Sequence, residues 1–260
     1  MVLTRIMRTA VFIAWLAPAL ATAADPVPSP VQPCAGQTAV PLPDGRLFGH
    51  IPYAEALSSD LVLAPAGFAI GPPCHVQRDV LPDLVRLIAA ATAPEIGGRL
   101  HAVSCFRSIA HQRAVFCSQI GPRKACKDAA ERARSVGPPG YSEHSSGYAI
   151  DFVARPAPGC ADVDPCIAAT AAGRWLIGHA ADYGFELSFP DGNAQGVTWE
   201  PWHWRWVGTS IDEPGAARAR LTLSRARAQF AALPAVPDQA VTPEVEPTLP
   251  QPIVPPDAPN

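Results

Sequence analysis

The spacing of apolar and polar residues predicts a run of short helices and strands in the middle of the chain. Apolar side chains at helical spacing predict a helix over 80–92, which ends before Pro94. Alternating segments predict strands over 99–106, 148–153, 185–189 and 202–207, and further helices are predicted over 108–120, 164–183 and 213–233. Helices and strands that alternate irregularly are typical of an α+β domain, here with a small, mainly antiparallel sheet flanked by helices.

The two ends of the chain differ from this central part. Residues 24–43 and 233–260 are rich in proline, and the second segment has no Lys, Arg or aromatic residue. Such a composition buries too little apolar surface to offset the entropy of ordering, so we expect residues 233–260 to form a disordered or polyproline-like tail. The sequence therefore predicts one domain over 44–232, preceded by a proline-rich segment over 24–43.

The first residues have the features of an export signal. Arg5 and Arg8 precede an apolar run over 10–20, and Ala21-Thr22-Ala23 matches the small residues of a signal peptidase site. The alternative is a membrane anchor, but the run is shorter than the ~20 residues that a span needs, and Pro18 interrupts it. We expect residues 1–23 to be a cleaved signal peptide and the mature protein to be periplasmic or secreted, without a stable membrane span.

Charge and cysteine content narrow the possibilities further. The net charge is −3 and no basic cluster is present, so the chain lacks the electrostatic footprint of nucleic-acid binding. Seven cysteines in an exported chain favour disulfides, and at least one must stay unpaired within the monomer. The short separations favour the pairs Cys117–Cys126 and Cys160–Cys166, and the other pairings stay open. A zinc–thiolate cluster is disfavoured because no C-x-x-C pair occurs.

Two segments carry the candidate chemistry, YSEHSSGYAID over 141–151 and WEPWH over 199–203. Together they supply His144, Asp151 and His203, a ligand set that binds zinc and leaves one position open for water. Glu200 is the candidate general base, since a bend at Pro201 can bring its carboxylate beside the metal. Each histidine or acid taken alone would more often be structural, but the two segments together are far more specific.

The residue patterns of these two segments resemble the motifs of a known family. SEHSSGYAID is similar to the S-x-H-x-x-G-x-A-x-D motif of the LAS metallopeptidases, and EPWH to their E-x-x-H. With EPWHWRWVG, the resemblance is strongest to the VanY-type D-alanyl-D-alanine carboxypeptidases. Residues 105–112 (CFRSIAHQ) resemble that family's Y-R-S-x-x-x-Q segment, and 181–185 (ADYGF) its A-x-x-Y-G-F helix end. Cys105 departs from the family, which often has a small residue there.

The resemblance implies a role for each matched residue. It implies Zn²⁺ on His144, Asp151 and His203, Glu200 as the base, and Arg107 as the cation that faces the reacting carbonyl. Gln112 and Ser142 become candidates for binding the substrate. The remaining histidines match no motif and are expected to have no catalytic role: His50, His75, His101, His111 and His179.

The sequence thus predicts an exported zinc D,D-carboxypeptidase that removes the terminal D-alanine from peptidoglycan stem peptides. An endopeptidase or D,D-dipeptidase of the same superfamily is the nearest alternative, because specificity depends on whether the groove beyond the cut binds a free carboxylate. A non-catalytic, zinc-containing cell-wall binding module is a third possibility, but it has no need for Glu200 or Arg107. The oligomeric state cannot be predicted.

Overall fold

The structure is a computed structural model that describes residues 28–93, 96 and 98–238. The predicted signal peptide and the predicted tail beyond residue 238 lie outside these residues. Within the described part of the chain, no helix has both the length and the apolar character needed to cross a membrane.

The described residues form eight strands and six α-helices. The strands are β1 (Val31–Cys34), β2 (Gln37–Ala39), β3 (Leu61–Leu63), β4 (His75–Gln77), β5 (Arg99–Ser104), β6 (Ala149–Arg155), β7 (Phe185–Leu187) and β8 (His203–Trp206). The helices are α1 (Leu81–Ala90), α2 (Ile109–Cys117), α3 (Ala129–Arg132), α4 (Ala171–His179), α5 (Ala216–Thr222) and α6 (Ser224–Gln229).

A four-stranded antiparallel sheet forms the centre, in the order β5-β6-β8-β7. Two short antiparallel hairpins, β1-β2 and β3-β4, lie outside it. The predicted α+β class with a small antiparallel sheet is therefore confirmed. In the register of β6 and β8, Asp151 lies directly opposite His203. Two residues from distant parts of the sequence thereby become cross-strand neighbours.

The aromatic face of β8 lies in the main core. Trp204 and Trp206 are fully buried, and Phe152 of β6 packs edge-to-face on Phe185 of β7. The opposite face of β8, which carries His203 and Arg205, is buried as well. Buried polar groups must find partners, so this second face has to be matched by other polar side chains.

Two predicted helices are interrupted in the structure. The segment predicted as one helix over 164–183 is a 3₁₀ turn (Pro165–Ala169), then α4, then a second 3₁₀ turn (Ala180–Tyr183). Thr170 ends the first turn and caps α4 by accepting a hydrogen bond from Gly173 N at 2.9 Å. An added Cβ at Gly173 would lie 1.9 Å from Ile167 O, so this close approach requires glycine. The predicted helix over 213–233 is divided at Leu223 into α5 and α6.

Both proline-rich ends contribute packed residues. Cys34 in the β1-β2 hairpin is bonded to Cys117 at the end of α2. After α6, Pro234 O accepts a hydrogen bond from Leu187 N at 3.1 Å, and Val236 is buried. Pro234 and Val236 therefore contact the domain beyond the predicted boundary at 232, whereas Leu233 is exposed.

The disulfides agree with the sequence prediction in one case. Cys160–Cys166 is formed as predicted, and Cys74–Cys105 joins β4 to the end of β5. The predicted Cys117–Cys126 pair is wrong, since Cys117 bonds Cys34 and Cys126 stays a buried thiol. Proximity in sequence favoured the wrong partner here, whereas the fold brings the β1-β2 hairpin against α2.

Candidate active site

The structure brings the three predicted metal ligands together. His144 lies in a buried 3₁₀ turn (Glu143–Ser146), Asp151 on β6 and His203 on β8. One ligand atom of each residue lies within 4.8 Å of the others, and all three side chains are buried. Gly147 ends the turn with a φ of 76°, a conformation that favours glycine, and the chain can then enter β6 directly. The result is a possible His/Asp/His metal site.

The hydrogen bonds of His144 orient it for metal binding. Its Nδ1 lies 2.7 Å from Cys105 O, so we assign the proton to Nδ1 and the lone pair to Nε2. Nε2 is buried 3.1 Å from Asp151 Oδ2 but has no hydrogen-bond partner. A buried nitrogen lone pair without a donor beside a carboxylate oxygen suits a divalent cation. The disulfide from Cys105 to Cys74 helps to fix the carbonyl that holds the ring.

Glu143, which the sequence analysis did not single out, holds His203 from the other side. His203 Nε2 donates to Glu143 Oε2 at 3.0 Å, and His203 Nδ1 donates to Asp151 Oδ1 at 3.0 Å. Glu143 also accepts hydrogen bonds from Ser188 at 2.6 Å and from Arg205 at 2.8 Å. Arg205 in turn donates to Glu186 at 2.7 Å. These partners balance the charges on the second buried face of β8 and orient His203 Nδ1 toward Asp151.

Charge and burial give His144 and His203 different protonation states. Burial lowers the pKa of His144 to about 4, and the charge of Arg107 acts in the same direction. Burial also lowers the pKa of His203, but hydrogen bonds to Asp151 and Glu143 outweigh it and raise the pKa to about 10. Burial raises the pKa of Asp151, but the two imidazoles hold it well below its usual range. In the absence of a cation, His144 is therefore neutral and His203 is protonated between two carboxylates.

The site opens into a cavity of about 380 Å³ that also contains Glu200, Arg107 and Ser142. Glu200 is buried in the turn before β8, where its carbonyl accepts the His203 N–H at 2.9 Å. Burial raises the pKa of Glu200 to about 8. The backbone N–H of Arg107 donates to His144 O at 3.2 Å, and its buried Nε has no hydrogen-bond partner. Ser142 lies at the start of the His144 turn, and its hydroxyl makes no capping bond.

Gln112 does not reach this cavity, whose lining does not include it. It is fully buried on α2, and its Nε2 donates to Gly137 O at 2.6 Å. Gly137 does line the cavity, so Gln112 supports the cavity wall from behind. The predicted direct contact with substrate is not favoured by this geometry.

His50, for which no catalytic role was expected, also lines the cavity. Its Nε2 bonds Ala133 O at 2.7 Å, and its ring packs edge-to-face on Phe189. Burial lowers the pKa of His50, and the neutral ring forms part of the cavity wall. Neither Glu143 nor His50 has a sequence signal of its own, although Glu143 stands inside the SEHSSG motif.

Comparison with known proteins agrees with this geometry. The family model VanY, D-alanyl-D-alanine carboxypeptidase, matches residues 74–209, more than half of the 260 residues. Over 158 residues the chain is 33% identical to YodJ, a predicted carboxypeptidase of Bacillus subtilis (strain 168), covering 58% of this chain and 54% of the relative. The chain thus spans about half the length of this curated relative. A D-alanyl-D-alanine carboxypeptidase of Enterococcus faecium is 34% identical over 73 residues, 27% of this chain and 22% of the relative.

Among solved structures, the LD-carboxypeptidase LdcB is similar with a TM-score of 0.51 and 26% identity, covering 65% of this chain and 75% of that one. The matched residues 74–209 contain His144, Asp151, Glu200 and His203. The family resemblance predicted from the motifs is confirmed, and the chain belongs to the VanY family of D-alanyl-D-alanine carboxypeptidases.

Proposed function

We propose that this protein is an exported, zinc-dependent D,D-carboxypeptidase that removes the terminal D-alanine from peptidoglycan stem peptides. One observation carries the proposal: a buried carboxylate and a guanidinium, Glu200 and Arg107, share one cavity with the His144, Asp151 and His203 cluster. A structural metal site needs neither group, whereas peptide hydrolysis needs a base and a cation that stabilises the oxyanion. This argues against a non-catalytic binding module.

The donor set supports zinc as the cofactor. Two imidazoles and one carboxylate are a common three-ligand set for catalytic zinc, which keeps a further position for water. A bound zinc ion would lower the pKa of a water molecule and polarise the peptide carbonyl. Because Glu143 holds the Nε2–H of His203 and Cys105 O holds the Nδ1–H of His144, the nitrogens that would bind the metal are Nε2 of His144 and, once its proton is displaced, Nδ1 of His203.

The other residues of the cavity would then move the proton and stabilise charge. Glu200 as a carboxylate would take a proton from the attacking water and pass it to the departing amine. Its raised pKa of about 8 makes it a strong base for a carboxyl group. Arg107 would donate hydrogen bonds to the carbonyl oxygen as negative charge develops there, an effect of about 3–4 kcal/mol in comparable sites.

Metal binding should release protons, and this provides a test of the ligand assignment. His203 is protonated at pH 7 because its pKa is raised to about 10, so a cation must displace the Nδ1 proton. Affinity should therefore rise by about tenfold per pH unit for each proton released, which is about 10–100-fold per unit near pH 7 and about tenfold per unit between pH 8 and 9. Titration calorimetry in buffers of different ionisation enthalpy should give about one to two protons released at pH 7, the second from Glu200.

The variant Glu200→Gln is the matched control for this count. It removes the second proton source and keeps His203, so the release should fall to about one proton. No proton release in either protein would contradict the assignment of His203 as a ligand.

The proposed location rests on the predicted signal and on the cysteines. The three disulfides of the described domain would persist in an oxidising compartment such as the periplasm or the extracellular space. Measurement of the mature N-terminus of the exported protein by mass spectrometry would test cleavage after Ala23.

The reaction itself is tested with a defined muropeptide. The mature protein should release a single alanine from a stem pentapeptide, a chelator should stop the release, and added Zn²⁺ should restore it. Release of larger fragments would identify an endopeptidase or dipeptidase instead. A protein that binds Zn²⁺ but leaves every muropeptide intact would overturn the enzymatic proposal.

A further inference from the structure

A second guanidinium, Arg132, lines the active-site cavity together with Arg107. Neither side chain takes part in an ion pair with any described residue, whereas the buried Arg205 is paired with two glutamates. Burial lowers the pKa of Arg107, and the charge of Arg132 acts in the same direction, whereas the charges of Asp151 and Glu200 raise it. The cavity therefore has one cation beside the metal cluster and a second that no carboxylate of the described protein neutralises.

Arg132 is held in place by its helix. Asp128 caps α3 by accepting a hydrogen bond from Glu131 N at 2.8 Å. The Glu131 carboxylate accepts a second hydrogen bond, from Lys127 N just before the cap, at 2.8 Å. Ala129 and Ala133, on either side of Arg132, are buried in a small core with Phe116 and the disulfide-bonded Cys34. The β1-β2 hairpin adds a further bond, since Gln37 accepts from Ala129 N at 3.0 Å.

The hydrogen-bonding capacity of Arg132 is largely unused. Its Nε is buried and has no partner, and its one bond is a long contact from Nη2 to Val115 O at 3.5 Å. Partial removal of a guanidinium from water costs free energy when no anion is paired with it. A carboxylate of a bound ligand would supply the missing partner in bidentate geometry. The nearby lining includes Val115, Val136 and Val197, which suit a small apolar side chain next to that carboxylate.

We propose that Arg132 binds the C-terminal carboxylate of the peptide substrate and thereby limits cleavage to the last residue. This inference rests on the proposed peptidase function and deepens it. Arg107 would serve the reacting carbonyl, and Arg132 the free terminus one residue further along the peptide. A chain that continues beyond the cut would place a neutral amide, rather than a carboxylate, against Arg132.

The test compares two substrates that differ only at the terminus. The peptides end in D-Ala-D-Ala as the free acid or as the carboxamide, and hydrolysis is followed by release of D-alanine or D-alaninamide. The wild-type protein should prefer the acid. Arg132→Gln should lower kcat/KM for the acid by about 10–100-fold and for the amide by less than about threefold, because only the acid loses a charge-assisted bond. Arg132→Lys should retain part of the preference.

Arg134→Gln is the matched control, because Arg134 is exposed, lies two residues away in the sequence and does not line the cavity. It should leave both rates and the acid preference unchanged. Equal losses for acid and amide in Arg132→Gln would mean that Arg132 is structural or binds a carboxylate elsewhere in the peptide, and unchanged rates would mean that it binds none; either result overturns the proposal.

The failure of this inference can be told apart from failure of the proposed function. A wild-type protein that hydrolyses neither peptide contradicts the function, whereas a wild-type protein whose acid preference survives Arg132→Gln contradicts this inference alone. A binding measurement is independent of turnover: calorimetry with the Zn²⁺-loaded Glu200→Gln protein should show tighter binding of the acid than of the amide. Adding Arg132→Gln should remove that difference.

Discussion

Exchange of Glu200 for Gln should reduce kcat by about 10²–10⁴-fold while leaving the bound metal in place. The substitution keeps the size of a buried side chain and removes the group that accepts the proton. Turnover on the stem pentapeptide and the metal content by elemental analysis provide the two measurements. Asp191→Asn is a suitable control, because it removes an exposed carboxylate from the same connection between β7 and β8. A Gln variant with the wild-type rate would contradict the assignment of the base.

The same exchange should stabilise the metal-free protein. Burial raises the pKa of Glu200 to about 8, so the folded state holds a proton that the unfolded state loses near its usual pKa of 4.5. The wild-type unfolding free energy should therefore fall as the pH rises from about 5 to 8, whereas the Gln variant lacks this loss. Urea unfolding at pH 5 and pH 8 checks the difference, which should be larger at pH 8. An equal difference at both values would contradict the raised pKa.

Exchange of Glu143 for Gln should weaken metal binding by about 10–100-fold, although Glu143 is not itself a predicted ligand. The carboxylate holds His203 Nε2 at 3.0 Å and so directs Nδ1 toward Asp151. It also balances the charge of Arg205, and burial of Arg205 with one counter-ion fewer should lower the unfolding free energy by up to about 3–5 kcal/mol. Competition with a chromophoric chelator measures the affinity, and urea unfolding measures the stability.

Glu186→Gln separates these two effects. Glu186 pairs with Arg205 at 2.7 Å but makes no contact with His203 among the described hydrogen bonds. Its exchange should lower the stability and leave the metal affinity nearly unchanged. If both variants weaken metal binding equally, then the orientation of His203 does not depend on Glu143.

The sequence predicted the central strands well because alternation and turn residues are local signals. It did not predict the breaks around α4, where a threonine cap and the close approach at Gly173 depend on packing against the preceding turn. The short sequence separation suggested Cys117–Cys126, whereas the native partner of Cys117 lies 83 residues away. Pairing of that kind is decided by the tertiary fold and not by local spacing.

The candidate site could be predicted as far as its motifs extend. His144, Asp151, Glu200 and His203 stand in two recognisable segments, and their roles stay predictions until they are tested. Glu143 was missed because its partner Arg205 lies 62 residues away, and because the sequence does not show that both faces of β8 are buried. Arg132 was missed because a lone arginine on a short helix has no local signature, and only the fold places it in the cavity.

If Arg132 binds the substrate carboxylate as proposed, the Cys34–Cys117 disulfide would give the β1-β2 hairpin a part in substrate selection. A protein that begins at residue 44 would keep the whole hydrolytic centre but lose the clamp that steadies α3. Such a shortened enzyme should still cut peptides while discriminating poorly between their free and extended ends. The hairpin would then act as a support outside the hydrolytic site, and substrate selection and bond cleavage could be altered independently of each other.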